Sequence, residues 1–180
     1  FYKNETILCT SKTDEDLHEI GNLKSFMEKI KFLYRNLSPY LRKNLIYKFE
    51  SKKYLFQIND STIEGGVGED PARGGTYTIT FNDEFAANKN ANNVLMSIAA
   101  CCNCNIFIST KKDKGDVYDQ ILNSPNIRKI RLYWRDDPQI LDKEAYKAKY
   151  ISKYGEINFK VEIDMQYAEP DELLIFDRDI

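Results

Sequence analysis

Apolar positions along this chain alternate between short unbroken runs and stripes at helical spacing. Glu5-Thr6-Ile7-Leu8-Cys9-Thr10 is β-branched and apolar, so it reads as a short buried strand. Ser11, Thr13 and Asp14 then offer N-cap oxygens. Leu17, Ile20, Leu23, Phe26, Met27, Ile30, Leu33 and Leu37 follow at three- and four-residue intervals and predict one apolar helix face. Gly21 weakens the middle of that helix, which allows two helices instead, and Ser38-Pro39 stops it.

Tyr54–Asn59 reads as a second strand, with a turn at Asn59-Asp60-Ser61 before Thr62-Ile63-Glu64. A glycine-rich loop, Gly65 to Gly75, leads into the clearest strand, Tyr77-Thr78-Ile79-Thr80-Phe81, which ends in Asn82-Asp83-Glu84. Ala91–Ala100 predicts a helix, Asn105–Thr110 a strand, Tyr118–Leu122 a short helix, Ile127–Trp134 a strand and Lys143–Lys153 a helix. Unbroken apolar strands alternating with helices argue for an α/β fold with a mostly parallel sheet covered on both faces. The acidic segment 168–180 reads as a linker, and Phe1 opening almost directly into a strand reads as a start within a longer protein.

Composition changes this picture little. In 180 residues, 42 % are hydrophobic and 30 % charged, which is ordinary for a globular domain with a sizeable core. The net charge of -2 gives no hint of a nucleic-acid partner, although residues 1–55 hold 11 Lys and Arg against 7 Asp and Glu. That local excess fits a basic face or an ordinary solvated surface. No apolar span is long enough to cross a bilayer. Cys9 stands alone, and Cys101, Cys102 and Cys104 precede an apolar run, so buried free thiols in a reducing compartment are expected rather than a zinc site.

The strongest chemical signal is Tyr77–Glu84, an apolar strand ending in two carboxylates, the form of a Walker B motif. At the carboxyl end of a parallel strand, Asp83 can hold magnesium through its water shell and Glu84 can orient or deprotonate a water. An acidic turn after a strand is the plain alternative. Ile106-Phe107-Ile108 ends in Ser109-Thr110, hydroxyls able to sense a phosphate or simply to cap a strand. The glycine loop is no phosphate cradle: it lacks G-x-x-x-x-G-K-[ST], and no Gly-Lys-Ser/Thr occurs elsewhere, so the nucleotide-binding residues are unknown. Arg73, flanked by glycines, is either an arginine finger or a surface arginine. Asp136-Asp137 reads as a turn before Pro138, His18 as a lone histidine without a carboxylate pattern, and Tyr133-Trp134 as a strand end.

Taken in order, these segments carry a resemblance. Glu64–Gly75 followed by Ile79-Thr80-Phe81-Asn82-Asp83-Glu84-Phe85-Ala86 resembles the region through the Walker B motif of phage terminase large subunits, with its Arg-Gly-Gly and Asp-Glu-Ala-Ala. Cys104–Thr110 resembles the family's coupling strand, Tyr133–Pro138 its His-Trp-Arg-Asp-Asp-Pro, and Val161–Tyr167 its Glu-Ile-Asp-x-x-Tyr; Ile7–Asp16 and Leu33–Leu41 also have counterparts. Lys111–Gly115 departs from the family's usual Pro-Asn-Gly.

The resemblance implies a three-layer α/β/α P-loop NTPase-type domain, truncated at its N-terminus. Residues 1–167 would be a partial ATPase domain, with 168–180 leading toward a nuclease domain. It implies Asp83 as the Mg2+ carboxylate, Glu84 as the catalytic carboxylate, Arg73 as an arginine acting on a neighbouring subunit's ATP, and Ser109-Thr110 as the coupling motif. It further implies double-stranded DNA, a portal protein and a small terminase subunit as partners, a homo-oligomeric ring, and a place at the procapsid in the host cytoplasm. Two other readings stay open: an ATPase relic serving as a DNA- or protein-binding module, and a nuclease using Asp136, Asp137 and Asp164.

Overall fold

The computed structural model describes residues 4–43, 47–50, 55–58 and 60–167. The chain divides into two compact units, Phe1–Ser109 and Thr110–Ile180. The first holds β1 (Thr6–Thr10), α1 (Asp14–Leu17), α2 (Phe26–Asn36), α3 (Pro39–Arg42), β2 (Tyr47–Glu50), β3 (Leu55–Ile58), β4 (Ser61–Gly66), β5 (Tyr77–Asp83), α4 (Ala91–Ala99) and β6 (Cys102–Ile108). A six-stranded sheet runs in the order β2-β3-β4-β1-β5-β6. The pairs β4–β1, β1–β5 and β5–β6 are parallel, whereas β2, β3 and β4 form an antiparallel meander at one side.

Strand alternation sends neighbouring residues of β1 to opposite faces. Leu8 packs with Ala72, Tyr77 and Ile98 of α4, while Cys9 packs with Leu17 of α1 and Met27 of α2. Helices therefore cover both faces, and the three-layer α/β/α arrangement with a mostly parallel core is what the sequence predicts. The helix expected over 17–37 is two, joined through Gly21 at φ 81°, a left-handed backbone that glycine adopts without steric cost. The turn breaks the single stripe: Leu17 and Met27 are buried, but Ile20, Leu23 and Leu33 are exposed. The Ser38 hydroxyl accepts from the Leu41 amide and starts α3 with Pro39 as its first residue, so the proline that stops α2 also begins a helix.

Strand β2 was invisible in the pattern, and Tyr54 and Asn59 lie outside the described residues. Segment 127–133 is no strand: it is exposed and pairs with none of the described strands, and a strand without a ladder has nothing to fix it. Cys9 is buried as expected, but Cys101 and Cys102 are only partly covered and Cys104 is exposed, because β6 borders the sheet.

The second unit comprises α5 (Val117–Asn123), a 3-10 turn at Trp134–Asp136, α6 (Lys143–Tyr154), α7 (Glu156–Asn158) and a π-helical turn at Phe159–Ile163. Its aromatic centre is Phe159, with the Trp134 and Tyr150 rings at 5.4 and 5.6 Å. Trp134 stacks on Tyr146 and donates its indole N–H to Asp164 at 2.6 Å. Arg135 reaches the same carboxylate at 2.9 Å while lying over the Trp134 ring. The linker reading of 168–180 falls outside the described residues.

Candidate functional site

The carboxyl ends of β1, β5 and β6 lie side by side, in register from Thr10 to Asn82 and from Asp83 to Ile108. In a parallel sheet this edge is where ligands are held. Asp83 is the last residue of β5 and continues the alternation of Ile79 and Phe81 toward the face covered by α2. Burial pushes its carboxyl above the usual range, and the Lys29 charge on α2 partly opposes that. Beneath it the Cys9 thiol is pushed up to about 12, by burial first and by the Asp83 charge second.

Glu84 follows in a left-handed conformation, φ 49° and ψ 39°. This aims its side chain away from the strand, and a 3-10 turn, Phe85–Ala87, continues from it. The Lys12 ammonium, two residues past the end of β1, donates to Glu84 Oε2 at 2.5 Å and lies 3.7 Å from Asp16. That contact raises the Lys12 pKa, chiefly through the hydrogen bond to Glu84. The Ser109 hydroxyl accepts from the Ala86 amide at 3.1 Å, so the residue after β6 ties down the turn that carries Glu84.

A line of buried polar side chains crosses β1, β5 and β6 on the sheet face opposite to Asp83. The Thr10 hydroxyl donates to Asn82 Oδ1 at 2.8 Å, and Asn82 Nδ2 donates to Thr80 Oγ1 at 3.0 Å and to the Ile106 carbonyl at 3.2 Å. Thr80 in turn donates to Asn105 Oδ1 at 2.7 Å. Thr10, Thr80 and Asn82 are all buried. Sequence reasoning missed Thr10, Lys12, Lys29, Thr80, Asn82 and Asn105. The one signal for Asn82 was an amide standing inside an otherwise apolar run, immediately before the two carboxylates.

The structure thus brings Asp83, Glu84 and Ser109 together. Thr110 opens the second unit. Arg73 is not brought to them: it is exposed, its ion-pair partner is Asp70 at 3.9 Å, and its neighbour Ala72 packs with Leu8 and Ile98 on the face opposite to Asp83. Its loop is firmly seated, with the Ala72 amide donating to Ser97 Oγ and Ser97 donating to Asp70. Tyr77 donates to Glu64, and burial with that carboxylate pushes the phenol up to about 12. His18, expected to be solitary, sits 3.2 Å from Glu28 in a buried cluster with Lys31. Among the described residues no three of His, Cys, Asp or Glu gather to hold a metal ion, so Asp136, Asp137 and Asp164 do not form a nuclease centre. Nor is any described helix long and apolar enough to cross a membrane.

No family model and no curated protein matches the sequence. Solved structures do match the fold. The large terminase of a thermophilic bacteriophage superposes with a TM-score of 0.63 at 15% identity over 88% of this chain and 39% of that one. The same terminase in complex with ADP gives 0.62 at 14% identity, over 88% and 40%. An arginine-to-alanine variant of the Thermus phage P74-26 large terminase ATPase domain gives 0.60 at 11% identity over 92% of this chain and 78% of that domain. The fold is that of a large-terminase ATPase domain. This chain spans about 40% of the length of the first of these terminases and most of the P74-26 ATPase domain. At these identities the likeness is one of fold.

Proposed function

We propose that this chain is part of a DNA-packaging motor, a terminase large subunit, and carries the carboxylates that serve ATP hydrolysis. The observation that supports this most is Asp83-Glu84 at the carboxyl end of a central parallel strand, braced by Ser109 from the adjacent strand, in a terminase ATPase fold.

The donors present suit one half of a nucleotide site. Mg2+ keeps most of its waters and takes one or two carboxylates, which a half-buried Asp83 at a sheet edge can offer. When bound, the ion supplies positive charge to the transferring phosphoryl group of ATP. The described residues offer no phosphate cradle: the glycine loop is packed, with a Cβ at Gly66 falling 2.8 Å from Pro71 Cβ. The phosphates would be held by residues other than those described.

Glu84 is the residue that orients the attacking water and accepts its proton, and Lys12 fixes the direction of its carboxylate. Ser109, with Thr110 after it, ties the backbone beyond Glu84 to the end of β6 and so conveys the state of the site to the following segment. Arg73, exposed on a seated loop and held on the face opposite Asp83, is suited to reach the nucleotide of an adjacent subunit in a homo-oligomeric ring. Double-stranded DNA, the portal protein and the small terminase subunit are the proposed partners, at the procapsid in the host cytoplasm.

The test is the full-length gene product carrying Glu84→Gln, assayed for ATP turnover and for binding of a fluorescent ATP analogue. Turnover should vanish while binding persists. Retained turnover removes Glu84 from its role, and absence of nucleotide binding in the parent protein favours a non-catalytic binding module.

A further inference from the structure

We infer that Asn82 is a positioning residue for Glu84, acting through the buried ladder that joins β1, β5 and β6; the inference rests on the ATPase reading of the same site. It begins from strain. Three described residues other than glycine have positive φ, namely Asn4, Glu84 and Met165, and Glu84 alone lies at the carboxyl edge of the sheet. An L-residue stays in this region only where its surroundings over-determine it, and such residues cluster at functional sites.

The surroundings here are specific. Upstream, Asn82 uses its carbonyl and its amide at once: Oδ1 accepts from Thr10 on β1, and Nδ2 donates to Thr80 and to the Ile106 carbonyl on β6. Downstream, the Ala86 amide donates to Ser109 Oγ and the Ala87 amide to the Glu84 carbonyl. The Glu84 amide itself donates to Asp83 Oδ1 at 3.1 Å. Both sides of the strained residue are thereby tied to neighbouring strands.

A leucine or valine at position 82 would fill the same buried space without these bonds, as Ile79 and Phe81 do on the other face of β5. The polar choice costs desolvation unless every group is satisfied, and here the donors run in one direction from Thr10 through Asn82 and Thr80 to Asn105. Such a chain fixes the lateral register of three strands at the level where the carboxylates leave the sheet. Asn82 touches neither carboxylate's reacting atoms. It acts by holding the backbone from which Glu84 is aimed.

The experiment compares parent, Asn82→Leu and Thr10→Val in the full-length protein. It reads kcat and KM for ATP together with the backbone at residues 83–87, by crystallography and by amide exchange at Ala86. For Asn82→Leu the expectation is a fall in kcat of roughly 100-fold, the cost of a misplaced catalytic group. KM should stay within about threefold, Glu84 should leave the left-handed region, and Ala86 should exchange faster. Thr10→Val is near-isosteric and keeps the fold should Asn82→Leu not; losing one hydrogen bond there should lower kcat about fivefold. A kcat unchanged in Thr10→Val and in folded Asn82→Leu overturns the inference. So does a fall in kcat with Glu84 and Ala86 unmoved. If the parent turns over no ATP, the ATPase reading falls by itself; the backbone readout then decides alone, and an undisturbed Glu84 refutes the role of Asn82.

Discussion

Replacing Lys31 by methionine should destabilise this chain severely. Lys31 and Glu28 lie one turn apart on α2, and their side chains retain only 10% and 7% of their exposure, with His18 at 3% completing the cluster. Methionine keeps the packing volume and removes the charge. Glu28 is then left buried with His18 at 3.2 Å as its described partner. Breaking a buried pair from one side costs about 3–5 kcal/mol, whereas an exposed pair is worth up to about 1 kcal/mol. With a urea m-value of about 2 kcal/mol/M, a loss of about 4 kcal/mol lowers the midpoint by about 2 M, read by far-UV circular dichroism. Acid dependence gives a second check. Burial works to raise the Glu28 carboxyl, but the Lys31 hydrogen bond and charge, with help from His18, outweigh it and hold its pKa below the ordinary value. A depressed carboxylate pKa contributes stability that is present above the unfolded pKa, about 4.3, and is lost as pH falls through the lower folded value. In Lys31→Met that acid-side loss should shrink. A midpoint shift below about 0.5 M would refute the reasoning, since it would place the cluster in the energy range of a solvent-screened surface pair.

Two further outcomes follow from local geometry. Gly66→Ala should cost about 1–3 kcal/mol of stability, because the new Cβ would fall 2.8 Å from Pro71 Cβ and 2.9 Å from the Pro71 carbonyl oxygen; an unchanged urea midpoint would contradict this. Cys9, buried and with a thiol pushed up to about 12, should be the last of the four cysteines to react with iodoacetamide at pH 8, and exposed Cys104 should react well before it. Pulsed alkylation with mass spectrometry reads the order, and equal rates at Cys9 and Cys104 would mean that β1 is not covered as described.

Much of the fold was legible because it is written in local periodicity. The apolar runs at Ile7–Cys9, Ile79–Phe81 and Ile106–Ile108 became three adjacent parallel strands, and the helices expected over 91–100, 118–122 and 143–153 stand at 91–99, 117–123 and 143–154. What was not legible depends on partners distant in sequence. Segment 127–133 has the β-propensity of a strand, yet propensity supplies no ladder. His18 and Glu28 are ten residues apart across a turn whose path is set by Gly21, so no helical spacing could pair them. The pairing of Lys12 with Glu84 and of Thr10 with Asn82 spans 72 residues and exists only because β1 and β5 are neighbours in the sheet. The carboxylates themselves were conspicuous in the sequence. The side chains that aim them were not, since a threonine and an asparagine inside strands look like weak strand formers until the register is known.

Stability alone would not choose the end of β5. Burial raises the Asp83 pKa, so folding favours its neutral form, and keeping it ionised at neutral pH works against the folded state; with a raised carboxyl the favourable contribution is greatest at low pH and is lost as pH rises through the folded value. The next residue holds a left-handed backbone that also costs energy. On the opposite face of the sheet from Asp83 lies a hydrogen-bonded polar ladder in what could have been an apolar core. Three departures from local optimality thus fall on three consecutive residues, Asn82, Asp83 and Glu84. In the proposed role, half-buried Asp83 would recover its cost when a cation meets it, and strained Glu84 when direction matters more than ease. The ladder makes both tolerable by fixing the strands that carry them. A plain acidic turn after a strand has no need of any of the three, and that physical mismatch supports the proposed role of this edge in phosphoryl chemistry.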